Sequence, residues 1–312
     1  MKKHLNYIIL FVVFNCSYVT SYAEPETTSV SNFSGLKKAA LAFGENEIKN
    51  TLIVMDNDDT LTMMKCLKQK KPGKCQYLGG PAWFSWQSDL ISNDPTSRFK
   101  IAENNDNLLQ ISALLLSMNN MLYAEDTIPS VLKYLTNNGA TLLVLTARGG
   151  SNISATESQF SNLYLNNKND DNLLKFISDH ALNGKKSGIS SIAGPIQPRS
   201  CMAERPISYR QGIMYVAGQN KGMMLNCILD RTDSTHIKNI IFIDDTQENV
   251  DDVYNEFKHS KKYSITAMHY TYLEKHKERL TLHHKYKKKA RKRWENIKSI
   301  LINELLFPSA IR

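Results

Sequence analysis

Residues 52–62 read LIVMDNDDTLT. An apolar run leads straight into three carboxylates within four positions, Asp56, Asp58 and Asp59, closed by Thr60. A short, unbroken apolar run is the pattern of a strand buried on both faces, as in a parallel sheet. Carboxylates this close repel one another unless positive charge sits among them. The partners that would balance them have to come from elsewhere in the chain.

Working outward, three more apolar runs read as strands: Ala140 to Leu145, ending in Thr146; Gly212 to Val216; and Asn239 to Ile243, ending in Asp244-Asp245. Helical patterns alternate with them, at 36–49, 107–123, Pro129 to Asn138, about 154–165, and Lys221 to Leu229. Thr127 reads as an N-cap and Gly139 as a helix stop. This alternation predicts an α/β fold, a Rossmann-like, mainly parallel sheet flanked by helices, with right-handed crossovers. In such a sheet, ligands bind beyond the carboxyl ends of the strands. Asp56, Asp58, Thr146, Asp244 and Asp245 are therefore expected at one edge, with Lys221 opening a helix shortly before the last of these strands.

That set suits phosphoryl chemistry. Asp56 and Asp244 offer hard oxygens to Mg2+, which prefers one or two carboxylates and a shared phosphate. Asp56 is placed to attack phosphorus and Asp58 to protonate the leaving oxygen and then activate water. Thr146 and Lys221 are suited to hold the non-bridging oxygens, where charge accumulates.

The order of these residues resembles the haloacid dehalogenase (HAD) superfamily of phosphohydrolases. Its first motif, Asp-x-Asp-x-Thr, matches Asp56-Asn57-Asp58-Asp59-Thr60. Thr146 in LLVLTARGG, Lys221 in GQNKGMML and Asp244-Asp245 in IIFIDDTQENV match the second, third and fourth. Each motif alone is weak; four in order, over roughly residues 36–258, are specific. The resemblance implies a nucleophilic Asp56, an acid/base Asp58, and Mg2+ held by Asp56, the Asp58 carbonyl and Asp244. Asp245 would be an alternative ligand or a support for one. The leader and the GQNKG and DDTQENV phrasing are also similar to a little-characterised group of exported HAD-like proteins of intracellular bacteria. The resemblance implies a cap insertion at about 62–125 and a second insertion at about 166–210.

The ends of the chain read differently from this core. Lys2 and Lys3, the apolar run Leu5 to Phe14, and Ser21-Tyr22-Ala23 have the layout of a signal peptide covering residues 1–23. The protein is then periplasmic or secreted. Residues 24–35 read as a flexible lead, and 259–312 as a basic helical extension. The 312-residue chain has a net charge of +9; losing two lysines leaves 37 basic against 30 acidic residues, or +7. Export permits disulfides among Cys66, Cys75, Cys201 and Cys227, and three pairings stay open. Cys66 and Cys75 could staple one loop, while Cys227, in an apolar helical run, reads as a buried thiol.

Other readings compete at each feature. DNDDT as a calcium loop would need Gly at 61 and Glu at 67, where Leu61 and Leu67 stand. Arg148 either touches a substrate phosphate or pairs with a surface acid. Asn249 either supports the metal or caps a helix. Gly218 and Gly222 read as turn and close-packing residues. Trp83, Phe84 and Trp86 either form the insertion's own small core or line a pocket. The basic run through Lys285 to Arg293 is either a solvated helix face or a surface for an anionic membrane or host partner. Only Tyr286 interrupts its centre, so no clear nucleic-acid platform emerges. The expected function is hydrolysis of a small phosphorylated substrate. The alternatives are a weakly active or inactive HAD-scaffold binding protein and a phosphotransferase.

Overall fold

The chain begins with a strand that its polar sequence did not announce, β1 (Glu26–Val30). It pairs in parallel with a strand near the other end of the chain, β9 (Ser264–Tyr270). The segment expected to be a flexible lead is thus an edge strand, and the neighbouring Phe33 is fully buried. This computed structural model describes residues 25–65, 78–166, 171–185, 188–192, 196 and 200–305. The expected leader, Cys66 and Cys75 lie outside the described residues.

The core follows the predicted alternation. After α1 (Gly35–Ala42) come β2 (Thr51–Met55), the short hairpin strand β3 (Thr62–Met64), and helices α2 (Pro81–Asn93) and α3 (Asn105–Ser117). The return strand β4 (Met121–Tyr123) leads into α4 (Ile128–Asn137), β5 (Thr141–Thr146), α5 (Ile153–Ser161) and α6 (Leu173–Asp179). The antiparallel pair β6 (Ser208–Arg210) and β7 (Ile213–Tyr215) precedes α7 (Lys221–Arg231), β8 (Asn239–Asp244) and α8 (Gln247–Phe257). The seven-stranded sheet runs β1-β9-β8-β2-β5-β7-β6, parallel except at β6.

Alternation along β2 sorts its side chains to two faces. Leu52 and Val54 pack with Leu143, Leu145, Ile240 and Phe242, beneath α7 and α8. Ile53 and Met55 pack with Leu142, Val144, Ile241 and Ile243, beneath α1, α4, α5 and α6. Both faces are covered, which is why these strands read as unbroken apolar runs. Gly222 serves close packing, as expected: a Cβ there would lie 2.4 Å from the Asp252 carbonyl oxygen of α8. Gly218, at φ +69°, makes the turn before α7. Thr127 does not cap α4; its hydroxyl turns to Glu125.

Residues 107–123 are not one helix. α3 ends at Ser117, and Met121–Tyr123 turns back to pair with β3. The segment between these two strands therefore leaves and re-enters through a hairpin adjoining the Asp56–Thr60 loop. Trp83 and Trp86 form a small apolar core of this segment with Leu78, Leu90, Leu108 and Ile111, with Phe84 packed against it.

The expected boundary at residue 258 does not hold. β9 is an inner strand of the sheet, and two helices follow it, α9 (Glu274–Leu282) and α10 (His284–Leu305). Leu280, Ala290 and Trp294 from these helices complete the core built on Trp83 and Trp86. Lys285, Lys288, Lys289 and Lys292 lie exposed on the opposite face of α10. Cys227 is not a free thiol; it is bonded to Cys201, tying α7 to the loop before β6. Among the described residues, no helix is long and apolar enough to cross a membrane.

Trp294 is 1% exposed in this shared core. Trp294→Ala is expected to cost about 3–5 kcal/mol, read as a lower urea midpoint. A midpoint unchanged from the parent protein would show that the C-terminal helices do not stabilise the fold.

Candidate metal centre

β2 and β8 are neighbours in register, Met55 beside Ile243, so Asp56 and Asp244 emerge side by side at the carboxyl end of the sheet. The Asp56 N–H donates to the Ile243 carbonyl at 2.9 Å, carrying the pairing one residue further. β5 flanks β2 on the other side, with Val144 beside Met55, and brings Thr146 to the same edge. Asn220 caps α7 by accepting the Met223 N–H at 2.9 Å, which fixes Lys221 at the first position of that helix.

Lys221 is the positive charge that the opening sequence demanded. Its buried ammonium donates to Asp56 Oδ1 at 2.5 Å and to Asp244 Oδ2 at 2.6 Å. Asp244 also accepts from Asn249 Nδ2 at 3.1 and 3.0 Å and from the Thr246 N–H at 2.8 Å. Asn249 therefore supports a site carboxylate. Thr60 joins the first motif to the last: its hydroxyl accepts the Asp245 N–H at 3.0 Å and donates to Asp245 Oδ1 at 3.4 Å. Thr146 is fully buried, and its hydroxyl accepts the Arg148 N–H at 3.2 Å.

Asp58 stands apart from this group. Arg148 grips its carboxylate with two hydrogen bonds, Nε to Oδ2 at 2.8 Å and a terminal nitrogen to Oδ1 at 2.7 Å. Arg148 also donates to Thr156 at 2.9 Å and Gln159 at 2.7 Å in α5. Arg148 pairs with an acid, but with the motif carboxylate Asp58 and from a buried position, where a surface acid was expected. The Asp58 side chain, expected to act as acid/base, is thereby turned to Arg148. Its backbone carbonyl is the group left to serve an ion. The sequence reading missed Lys277, whose ammonium pairs with Asp245. A lysine in a polar helix gives no local signal of such a partner.

Asp56, Asp244 and Asp245 are buried, and each offers an oxygen within 4.8 Å of the others'. Together with Asp58 and Asp59, five carboxylates gather around three cations, Lys221, Arg148 and Lys277. The buried oxygens of Asp56, Asp244 and Asp245 are a hard donor set that fits a metal ion. Burial drives the Asp56 carboxyl well above the usual range; Lys221 opposes the shift, while Asp244, Asp245 and Asp58 add to it. Burial likewise pushes Asp245 up to about 7, against the pull of Lys277. Burial depresses Lys221, but Asp244 and Asp56 outweigh it and hold the ammonium charged.

The chain belongs to the family described as protein of unknown function (DUF2608), which matches residues 30–306. No curated protein matches it. The matched span runs from the end of β1 through α10, so the C-terminal helices are part of the family unit.

The raised carboxyls set a pH dependence. Asp245 binds its proton more tightly when folded than when unfolded, so the folded state holds more protons between about pH 4 and pH 7. The contribution of Asp245 to the stability of the metal-free protein is therefore fully present below this window and is lost as pH rises through it. Melting in EDTA should show a lower Tm at pH 7.5 than at pH 5, with a smaller difference in Asp245→Asn. Added divalent cation should raise Tm more at pH 7.5. An equal cation shift at both pH values would contradict this.

Proposed function

We propose that this DUF2608 family member is an exported, Mg2+-dependent phosphohydrolase of the HAD type, cleaving a small phosphomonoester through an aspartyl-phosphate. The observation that carries the reading is the shared salt bridge of Lys221 with Asp56 and Asp244, beside Asp245, at the ends of adjacent parallel strands. Export finds support in the Cys201–Cys227 disulfide, a bond that persists in oxidising compartments.

Asp56, Asp244 and the Asp58 carbonyl would hold Mg2+, which would neutralise the cluster and polarise the phosphoryl group. An oxygen of Asp56 attacks phosphorus as the bond to the leaving oxygen breaks. Protonated Asp58 gives its proton to that oxygen. Asp58 then takes a proton from water, whose oxygen attacks the aspartyl-phosphate, releasing phosphate and restoring Asp56. Lys221 and Thr146 hold the non-bridging oxygens. The helical segment between β3 and β4 acts as a cap and favours small substrates over phosphoproteins.

One observation favours the rival reading, a binding protein with little catalysis. Both oxygens of Asp58 are committed to Arg148, an arrangement that suits a carboxylate and opposes a proton donor. A single experiment separates the two. p-Nitrophenyl phosphate and a set of small phosphomonoesters are offered to the protein with Mg2+ or with EDTA. Turnover is expected only with Mg2+, falling about 10³-fold or more in Asp56→Asn and about 10²–10⁴-fold in Asp58→Asn. Turnover that survives Asp56→Asn would sink the aspartyl-phosphate route. Inactivity of the folded protein across the set would favour the binding protein.

A further inference from the structure

The C-terminal segment, expected to be a basic tail, delivers a residue to the metal cluster. Lys277 lies on α9, and its ammonium binds both the Asp245 carboxylate and the Asp245 backbone carbonyl. A ring nitrogen of His269 lies 3.3 Å from the same carbonyl. On its other side, Asp245 is fixed by the two hydrogen bonds with Thr60. Its situation differs from that of Asp56 and Asp244, which share Lys221. The element that carries Lys277 is anchored: Leu280 in the same helix, with Ala290 and Trp294, is buried among Trp83, Trp86 and Leu108.

We infer that Lys277 is a positioning residue that competes with a bound cation for the Asp245 carboxylate and so sets the affinity and selectivity of the site. The inference rests on the metal reading proposed above. Mg2+ is content with one or two protein carboxylates, keeping its remaining positions for water and phosphate, whereas Ca2+ takes six to eight oxygens. With Lys277 in place, Asp245 lies within reach of Asp56 and Asp244 but is paired with an ammonium of its own. Without it, Asp245 is a third carboxylate with no such competitor, and the cluster gains one net negative charge. Both changes strengthen divalent binding, and the third carboxylate favours Ca2+ most.

The test is calorimetric titration of MgCl2 and CaCl2, without substrate, into the protein and its Lys277→Met, Lys277→Arg, Asp245→Asn and Lys277→Met/Asp245→Asn variants, each checked for a cooperative melt. Lys277→Met is expected to bind Ca2+ about tenfold more tightly than the parent, with a smaller gain for Mg2+. Lys277→Arg should stay near the parent. The gain should vanish when Asp245→Asn is also present. Asp245→Asn alone should lower Mg2+ affinity by less than about tenfold, through its lost charge, and this arm stands even if Lys277→Met does not fold. An unchanged Ca2+ affinity in folded Lys277→Met, a gain that persists without Asp245, or a more than tenfold Mg2+ loss in Asp245→Asn overturns the inference. If the parent binds cation while Lys277→Met matches it, only the role of Lys277 falls. If neither binds a cation, the metal reading itself falls and takes this inference with it.

Discussion

Like charges forced together at the edge of a sheet are the constraint around which this molecule is arranged. Parallel pairing of β2 with β8 leaves Asp56 and Asp244 no choice but to emerge side by side. Leaving either carboxylate charged, buried and unpaired would cost several kcal/mol. Lys221 meets both, and its position depends on the cap of α7 and on the tight approach of α7 to α8 at Gly222. Beside this pair stands Asp245, and the three buried carboxylates together form a group that could hold a metal ion.

The Asp56–Thr60 loop is also where two parts of the molecule join. Thr62 opens the hairpin strand β3, yet its N–H donates to the Asn57 carbonyl at 2.8 Å and its hydroxyl to the Asn57 side chain at 2.8 Å. A second link runs through Arg148 to Gln159, which donates to the Leu116 and Asn119 carbonyls at the end of α3 at 2.7 and 2.8 Å. The helical segment is therefore tied by hydrogen bonds to the residues that grip Asp58. The C-terminal helices clasp it from outside through Trp294 and Leu280.

What the sequence disclosed follows from how local each signal is. The inner strands β2, β5 and β8 are buried on both faces, so their apolar runs were visible, as were the polar residues that end them. β1 (ETTSV) is polar and largely exposed, and only its pairing with β9 makes it a strand. β4 was absorbed into a helical pattern because its three residues carry no period of their own. Arg148 was open between phosphate and acid because its partner lies 90 residues away. Lys277 was invisible for the same reason, and α9 and α10 read as a solvated tail because the partners of Leu280 and Trp294 lie in the distant Trp83 segment.

The pairing of Glu26 with Thr266 has a consequence for how the molecule comes into being. The two strands of the sheet's outer pair are separated by nearly the whole chain, so β1 gains its partner only once β9 is in place. Until β9 arrives, β8, fully buried in the finished protein, presents a bare apolar edge of unpaired backbone groups. A nascent or truncated chain lacking residues 264–270 therefore exposes a template for association with other chains. The last stretch of the polypeptide works as the seal on the sheet as well as the support of its acidic edge.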